Sequence, residues 1–216
     1  MNRAWLKRGL LALVPLTMLL IVIAVVNGSA KEEPAPNALA LHIDEQAVEN
    51  GDMIFRRGVG LASEFVVSVD QASRFSHVGI ICKQAGQPYV IHILPDEGRG
   101  ADDTVRMEPL ALFLSPGNAS SFAVCRLSGK HREVAQRAAS QALAFWKKQV
   151  CYDYDLDASN AQRLYCSELV WQAYKMAGID LTDGVLQRVT IPFYQGRYVL
   201  ISRLLNSRWL ETLQQQ

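Results

Sequence analysis

The chain has 216 residues, half of them hydrophobic, and carries 22 basic against 21 acidic side chains for a net charge of +1. That length and apolar content suit one globular domain with a substantial core. No stripe of Lys and Arg stands ready for a phosphate backbone, so nucleic acid is excluded as a partner.

Arg3, Lys7 and Arg8 precede an uncharged run from Gly9 to Val26, followed by Asn27, Gly28, Ser29 and Ala30. A helix over that run would rise roughly 27 Å, enough to span a hydrocarbon core, with its basic flank left in the cytoplasm. Residues 1–30 therefore read as a membrane anchor or signal segment, with retention favoured. The alternative is cleavage near Ala30, where small residues suit signal peptidase. Residues 31–48 form a linker and lead-in that begins KEEPAPN, and 49–216 form the exported domain.

A short helix is expected over Ala38 to Glu49, in the lead-in, and a first strand over Met53-Ile54-Phe55, after the Gly51-Asp52 turn signal. A helix should follow Gly58 and Gly60 and run to about Gln71. Ser76 to Cys82 and Pro88 to Leu94 are β-rich runs that read as a hairpin. A region with Pro109 and Pro116 reads as loop, and Ser121 to Leu127 as another strand. From Lys130 to about Gln149 apolar residues recur at helical steps. The loop Tyr152 to Asp157 leads to a helix that starts near Tyr165 or Cys166 and stops at Gly178. The remainder holds Pro192, Tyr198 and an amphipathic tail with Leu204, Leu205, Trp209 and Leu213.

Four cysteines, at 82, 125, 151 and 166, include no C-x-x-C pair and no His at finger spacing, so neither a metal nor another cofactor is expected. Cys82 and Cys125 sit in apolar strands and read as small buried hydrophobes. An oxidising compartment would permit one disulfide at most if one thiol stays free. Cys166 opens a helix, where unpaired N–H groups and the helix dipole favour a thiolate, which makes it the candidate nucleophile and the most reactive thiol of the four. His77 and His92 lie in the two arms of the hairpin. Pairing Cys82 with Gln87 sets them directly opposite each other on one face, close enough to touch. A second imidazole can then fix the tautomer of the first, the third-member role in a Cys-His-polar arrangement.

Gly51-Asp52-Met53-Ile54-Phe55, Ser76-His77-Val78-Gly79-Ile80, Val90-Ile91-His92 and Tyr165-Cys166-Ser167-Glu168-Leu169 together resemble the circularly permuted branch of the NlpC-type papain-like superfamily. The nearest resemblance is to YiiX-like bacterial cysteine hydrolases, and lecithin retinol acyltransferases are more distantly similar. The resemblance covers roughly Glu49 to Ile179. It implies an α+β permuted papain-like fold, an antiparallel sheet packed on helices, with Cys166 as nucleophile, His77 as base and acid, and His92 as the third member. Many YiiX-like proteins have Glu at that third position, and this chain departs from them there.

Tyr165 and Glu168 flank the nucleophile and are candidates for lining the pocket or bracing the helix. Asp153 joins them as a pocket candidate from a solvated acidic loop near the cleft. The implied reaction is acyl transfer on an amide, peptide or acyl-ester substrate of the cell envelope. The implied setting is the bacterial inner membrane, single-pass with a periplasmic domain, or the periplasm after cleavage. A lipid acyl hydrolase or acyltransferase is the alternative, and a catalytically silent binding domain the second.

Overall fold

A computed structural model of the chain describes residues 41–95, 103–129, 131–156, 158, 162–191 and 194–216. The run from Gly9 to Val26 and the rest of the chain up to residue 40 lie outside these residues. Among the described residues no helix is long and apolar enough to cross a membrane.

The frame is a six-stranded sheet. Strand β1 is Met53–Arg57, β2 His77–Gln84, β3 Gln87–His92, β4 Arg106–Pro109, β5 Ser121–Leu127 and β10 Leu210–Gln215. They lie in the order β10-β5-β1-β2-β3-β4, and every neighbouring pair is antiparallel. Successive side chains along a strand point to opposite faces, and this sheet buries both. Met53, Phe55, Val78, Ile80 and Ile91 join one core cluster, which they share with helices α3 (Arg132–Lys147) and α4 (Cys166–Ala177). Ile54, Ile81, Val90, Phe122 and Val124 face the other way onto Leu110 and Phe113 of the short helix α2 (Leu110–Phe113). The runs MIF, IIC and YVIHI are therefore continuous in apolar character because both faces are covered, not because they are helical.

Helix α1 (Leu61–Val69) follows β1, and two small sheets complete the fold: β6 (Cys151–Tyr152) beside β7 (Arg163–Leu164), and the hairpin β8 (Gln187–Ile191) with β9 (Tyr194–Tyr198). A short helix α5 (Ile201–Leu205) precedes β10. Asp52, buried at the start of β1, accepts two hydrogen bonds from Arg126 at 2.8 and 2.7 Å and one from the Glu49 N–H at 2.7 Å. The Tyr174 hydroxyl of α4 donates to the Gly51 carbonyl. These bonds tie β1, β5 and α4 together at the edge of the core.

Four expectations need correction. Residues 41–49 form turns rather than a helix, and Asp44 satisfies the Gln46 and Ala47 N–H groups through its own side chain. Asp side chains compete with helical hydrogen bonding in this way. The hairpin turns through two residues, Ala85 and Gly86, not four, and pairs Gln84 with Gln87 and Ile80 with Ile91. Both turn residues have positive φ, 50° and 84°, which suits the twist of a two-residue hairpin. The stretch before Pro109, read as loop, contains β4. The tail splits into α5 and a strand, because Leu210 to Gln215 completes the sheet beside β5.

Candidate active site

His77 begins β2, on the face opposite α4's core cluster and paired with Arg56 of β1. Carrying the β2–β3 pairing one step beyond Ile80 and Ile91 sets Gly79 opposite His92, so the two histidines are diagonal neighbours rather than directly opposed. A slip of two residues preserves the face, and diagonal aromatic side chains still reach each other. His77 Nε2 lies 2.9 Å from His92 Nδ1, with the rings edge-on at 80°. Room for His92 is made at Gly79, where a Cβ would fall 2.5 Å from Val90 Cγ1 and 3.1 Å from His92 Cβ. Gly79→Ala is accordingly expected to cost about 1–3 kcal/mol by overpacking. Urea denaturation measures that cost, and an unchanged midpoint would show that the strand yields freely there.

Beyond His92 the row of polar contacts continues, as a close approach that is not aligned as a hydrogen bond. His92 Nε2 lies 3.0 Å from Glu108 Oε1 on β4, where Glu108 faces Val90 and Arg106 faces His92. Burial pushes the Glu108 carboxyl up, but the His92 contact and the nearby Arg56 and Arg106 charges outweigh it and hold the carboxyl below its ordinary range. Burial lowers His92, and burial with the Arg56 charge lowers His77 much further. Both rings are therefore neutral near pH 7, which assigns the protons along the row. The Glu108 carboxylate can only accept, so His92 carries its proton on Nε2 and presents Nδ1 as an acceptor. His77 then donates from Nε2, and its Nδ1 keeps a free lone pair.

Phe113 covers this row, with ring centroids 5.7 Å from His77 and 5.2 Å from His92. The Arg56 guanidinium stacks 4.2 Å above the Phe113 ring and donates to the Phe113 carbonyl at 2.7 Å. This lid explains why two imidazoles sit at 5% and 0% exposure in an otherwise apolar sheet.

Cys166 is the first residue of α4. Tyr165 precedes it in extended conformation, and no side chain caps the helix, so the first-turn N–H groups are left for the site. The backbone N–H groups of Val78 and Ser167 lie near enough to favour the thiolate, which places the thiol beside the residue next to His77. Burial nonetheless pushes the Cys166 thiol up, and these N–H groups only moderate the effect. His77, Cys166, Arg56, Arg106, Glu108 and Tyr152 share a cleft of about 300 Å³.

The four cysteines are free thiols. Cys82 and Cys125 are buried, and burial raises both. Cys151 is exposed. Tyr165 is buried and lines a second pocket beside Cys166, its hydroxyl accepting the Val199 N–H at 2.8 Å. Glu168 is fully buried and lines neither cavity, so its position is that of a brace. Asp153, expected on a solvated loop, is 1% exposed: its Oδ1 accepts the Asp155 N–H and its own N–H donates to Leu164. It holds the turn after β6 and lines neither cavity. Glu108, Arg56 and Arg106 were not singled out from the sequence. A Glu at strand spacing from an Arg was the available signal for β4, but Pro109 hid it.

Residues 47–197 match the model of the C92 peptidase family, described as permuted papain-like amidase enzymes of the YaeF/YiiX type. The chain belongs to this family. Among curated proteins it is similar to the uncharacterized protein YiiX of Escherichia coli (strain K12), 28% identical over 130 residues, 60% of this chain and 58% of that one. It thus spans somewhat more than half of that relative's length. Among solved structures it resembles the metalloprotein yiiX from Escherichia coli O157:H7. The TM-score is 0.64 at 22% identity, covering 78% of this chain and 97% of the other. The likeness to YiiX-like permuted papain-like proteins, an antiparallel sheet with helices and a cysteine-hydrolase-type family, therefore holds for this chain.

Proposed function

We propose that this C92 family member is an envelope thiol hydrolase that cleaves an amide or peptide bond of cell-wall-derived material, using Cys166, His77, His92 and Glu108. The observation that carries the reading is the row of close contacts Glu108–His92–His77, which leaves one basic nitrogen free in the cleft that Cys166 shares. His77 Nδ1 takes the thiol proton as Sγ attacks the carbonyl carbon. The N–H groups of Cys166 and Ser167 stabilise the oxyanion. The C–N bond then breaks, its electron pair leaving on nitrogen, which takes the proton back from His77. Water next adds to the thioester, giving its proton to His77, and Cys166 leaves and is reprotonated. The net change is amide plus water to acid plus amine.

His92 and Glu108 position His77 and stabilise its transient positive charge, the role that many relatives give to one Glu. The solved relative is described as a metalloprotein. Here the three ring and carboxylate groups are turned onto one another, and among the described residues no group of three or more His, Cys, Asp or Glu is placed to hold an ion. The donor set does not fit a metal, and no step is routed through one. The segment before residue 41 would supply inner-membrane attachment with the domain in the periplasm, an expectation that rests on the sequence.

Because burial keeps His77 below its ordinary range, the base stays unprotonated at pH values where a free imidazole would be charged. The acid limb of kcat/KM is expected below about pH 6.5, the unperturbed value. A pH–rate profile that breaks at or above that value would contradict a neutral, buried base. The direct experiment is alkylation with iodoacetamide followed by mass spectrometry of each cysteine peptide. Exposed Cys151 will label in any case. Cys166 labelling that depends on His77 supports the reading, and labelling that ignores His77→Ala supports a catalytically silent binding domain instead.

A further inference from the structure

Cys166 is bordered by two cavities of opposite character. His77 lines only the cleft of about 300 Å³, along with Arg56, Arg106 and Glu108. The second, about 150 Å³, lies between α1 and the Val199–Ile201 segment, walled by Phe65, Val66, Val69, Leu156, Val189 and Ile201. Several of the few polar groups on this second wall are already bonded within the protein. Asp70 accepts the Ser202 N–H at 2.7 Å, the Tyr165 hydroxyl accepts the Val199 N–H at 2.8 Å, and Ser167 donates to the Val199 carbonyl at 2.6 Å. Ser76 is likewise bonded to Ser63 at 2.7 Å. The wall is mostly apolar, so a polar group placed there would lose water for little return.

The proton transfer sets the direction of the substrate. The departing nitrogen must receive its proton from His77, so it lies on the His77 side of Cys166, and the substituent of the carbonyl lies on the other. Building on the thiol-hydrolase reading, we propose that the substrate's acyl half is apolar and sits in the pocket between α1 and Val199–Ile201, with the leaving group in the polar cleft. An apolar cavity of about 150 Å³ takes a benzene-sized group. A short aliphatic chain or a branched or aromatic side chain next to the carbonyl fits, and an anionic one does not. Phe65, 60% exposed, extends the apolar wall outward at the rim.

The test compares p-nitrophenyl acetate, hexanoate and glutarate on the full chain, scoring thioester formation on each cysteine by peptide mass spectrometry. Exposed Cys151 reports intrinsic ester reactivity. Each buried methylene is worth about fourfold, so hexanoate should exceed acetate at Cys166 by at least about tenfold after division by the Cys151 ratio. Glutarate should fall below hexanoate. Val189→Glu should bring the hexanoate-to-acetate ratio towards one, a ratio that does not depend on the folded fraction. If Cys166 is acylated in a His77-dependent way with a ratio near one, or prefers glutarate, the apolar subsite is overturned and the nucleophile assignment survives. If Cys166 takes no acyl group from any of the three, both fall.

Discussion

Replacing His77 by Ala is expected to lower acylation of Cys166 by about a hundredfold to ten-thousandfold, the range supplied by a positioned general base. The size of the effect follows from the thiol itself. Cys166 is held above its ordinary range by burial, so little thiolate pre-exists at neutral pH and the proton must leave during attack. A preformed ion pair would need less from the base. The measurement is the rate of thioester appearance by intact mass, with His77→Gln alongside. Loss of the imidazole leaves His92 Nδ1 buried without its present partner, at a cost of about 1–3 kcal/mol, so thermal midpoints must accompany the rates. Well-folded variants that acylate at the parental rate would remove His77 from the chemistry.

The second large effect is expected at Glu108, which touches no substrate in the proposed scheme. Glu108→Gln keeps the shape but can donate as well as accept. Donation to His92 Nε2 would shift the His92 proton to Nδ1, which would then donate to His77 Nε2 and move the His77 proton onto Nδ1. The nitrogen needed for the thiol would be occupied. Wrong-tautomer lesions of this kind reach about ten-thousandfold in other triads. With a second imidazole between the carboxyl and the base, a loss of at least about a hundredfold in kcat is expected, with KM little changed. Glu108→Asp should recover part of it. A merely structural Glu108 would predict parallel loss of stability and of activity in both variants, so a Glu108→Gln protein of parental kcat is the decisive contrary result.

The parts of this site that could be read in the sequence are those governed by parity and by helix ends. His77 and His92 were placed on one face because strand side chains alternate, and a register error of two residues left that intact. Cys166 was recognisable because a polar loop gives way to helical spacing at that residue. The register itself was misread because the turn is Ala85-Gly86, and Ala at positive φ gives no Asn-Gly signal. Glu108 was missed because Arg106–Pro109 is short, half charged and ends in Pro, and because its value lies in a contact with His92 on the neighbouring strand β3. The burial of Asp153 was equally unreadable: a Tyr-Asp-Tyr-Asp run looks solvated until β6 and β7 pair around it.

The two-residue turn at Ala85-Gly86 gives length variation in this region an unusual meaning. Exposed loops ordinarily accept insertions, since lengthening them costs little closure entropy. Here one extra residue between Gln84 and Gln87, if the turn stayed at two residues and β3 slipped by one, would send His92 to the face covered by α3 and α4. Two extra residues, looped out, would leave the site untouched. Insertions that slip the register by one should therefore abolish the site, while those looped out with the pairing kept should leave it intact. A library of turn lengths, scored for activity and for folding, would show that difference.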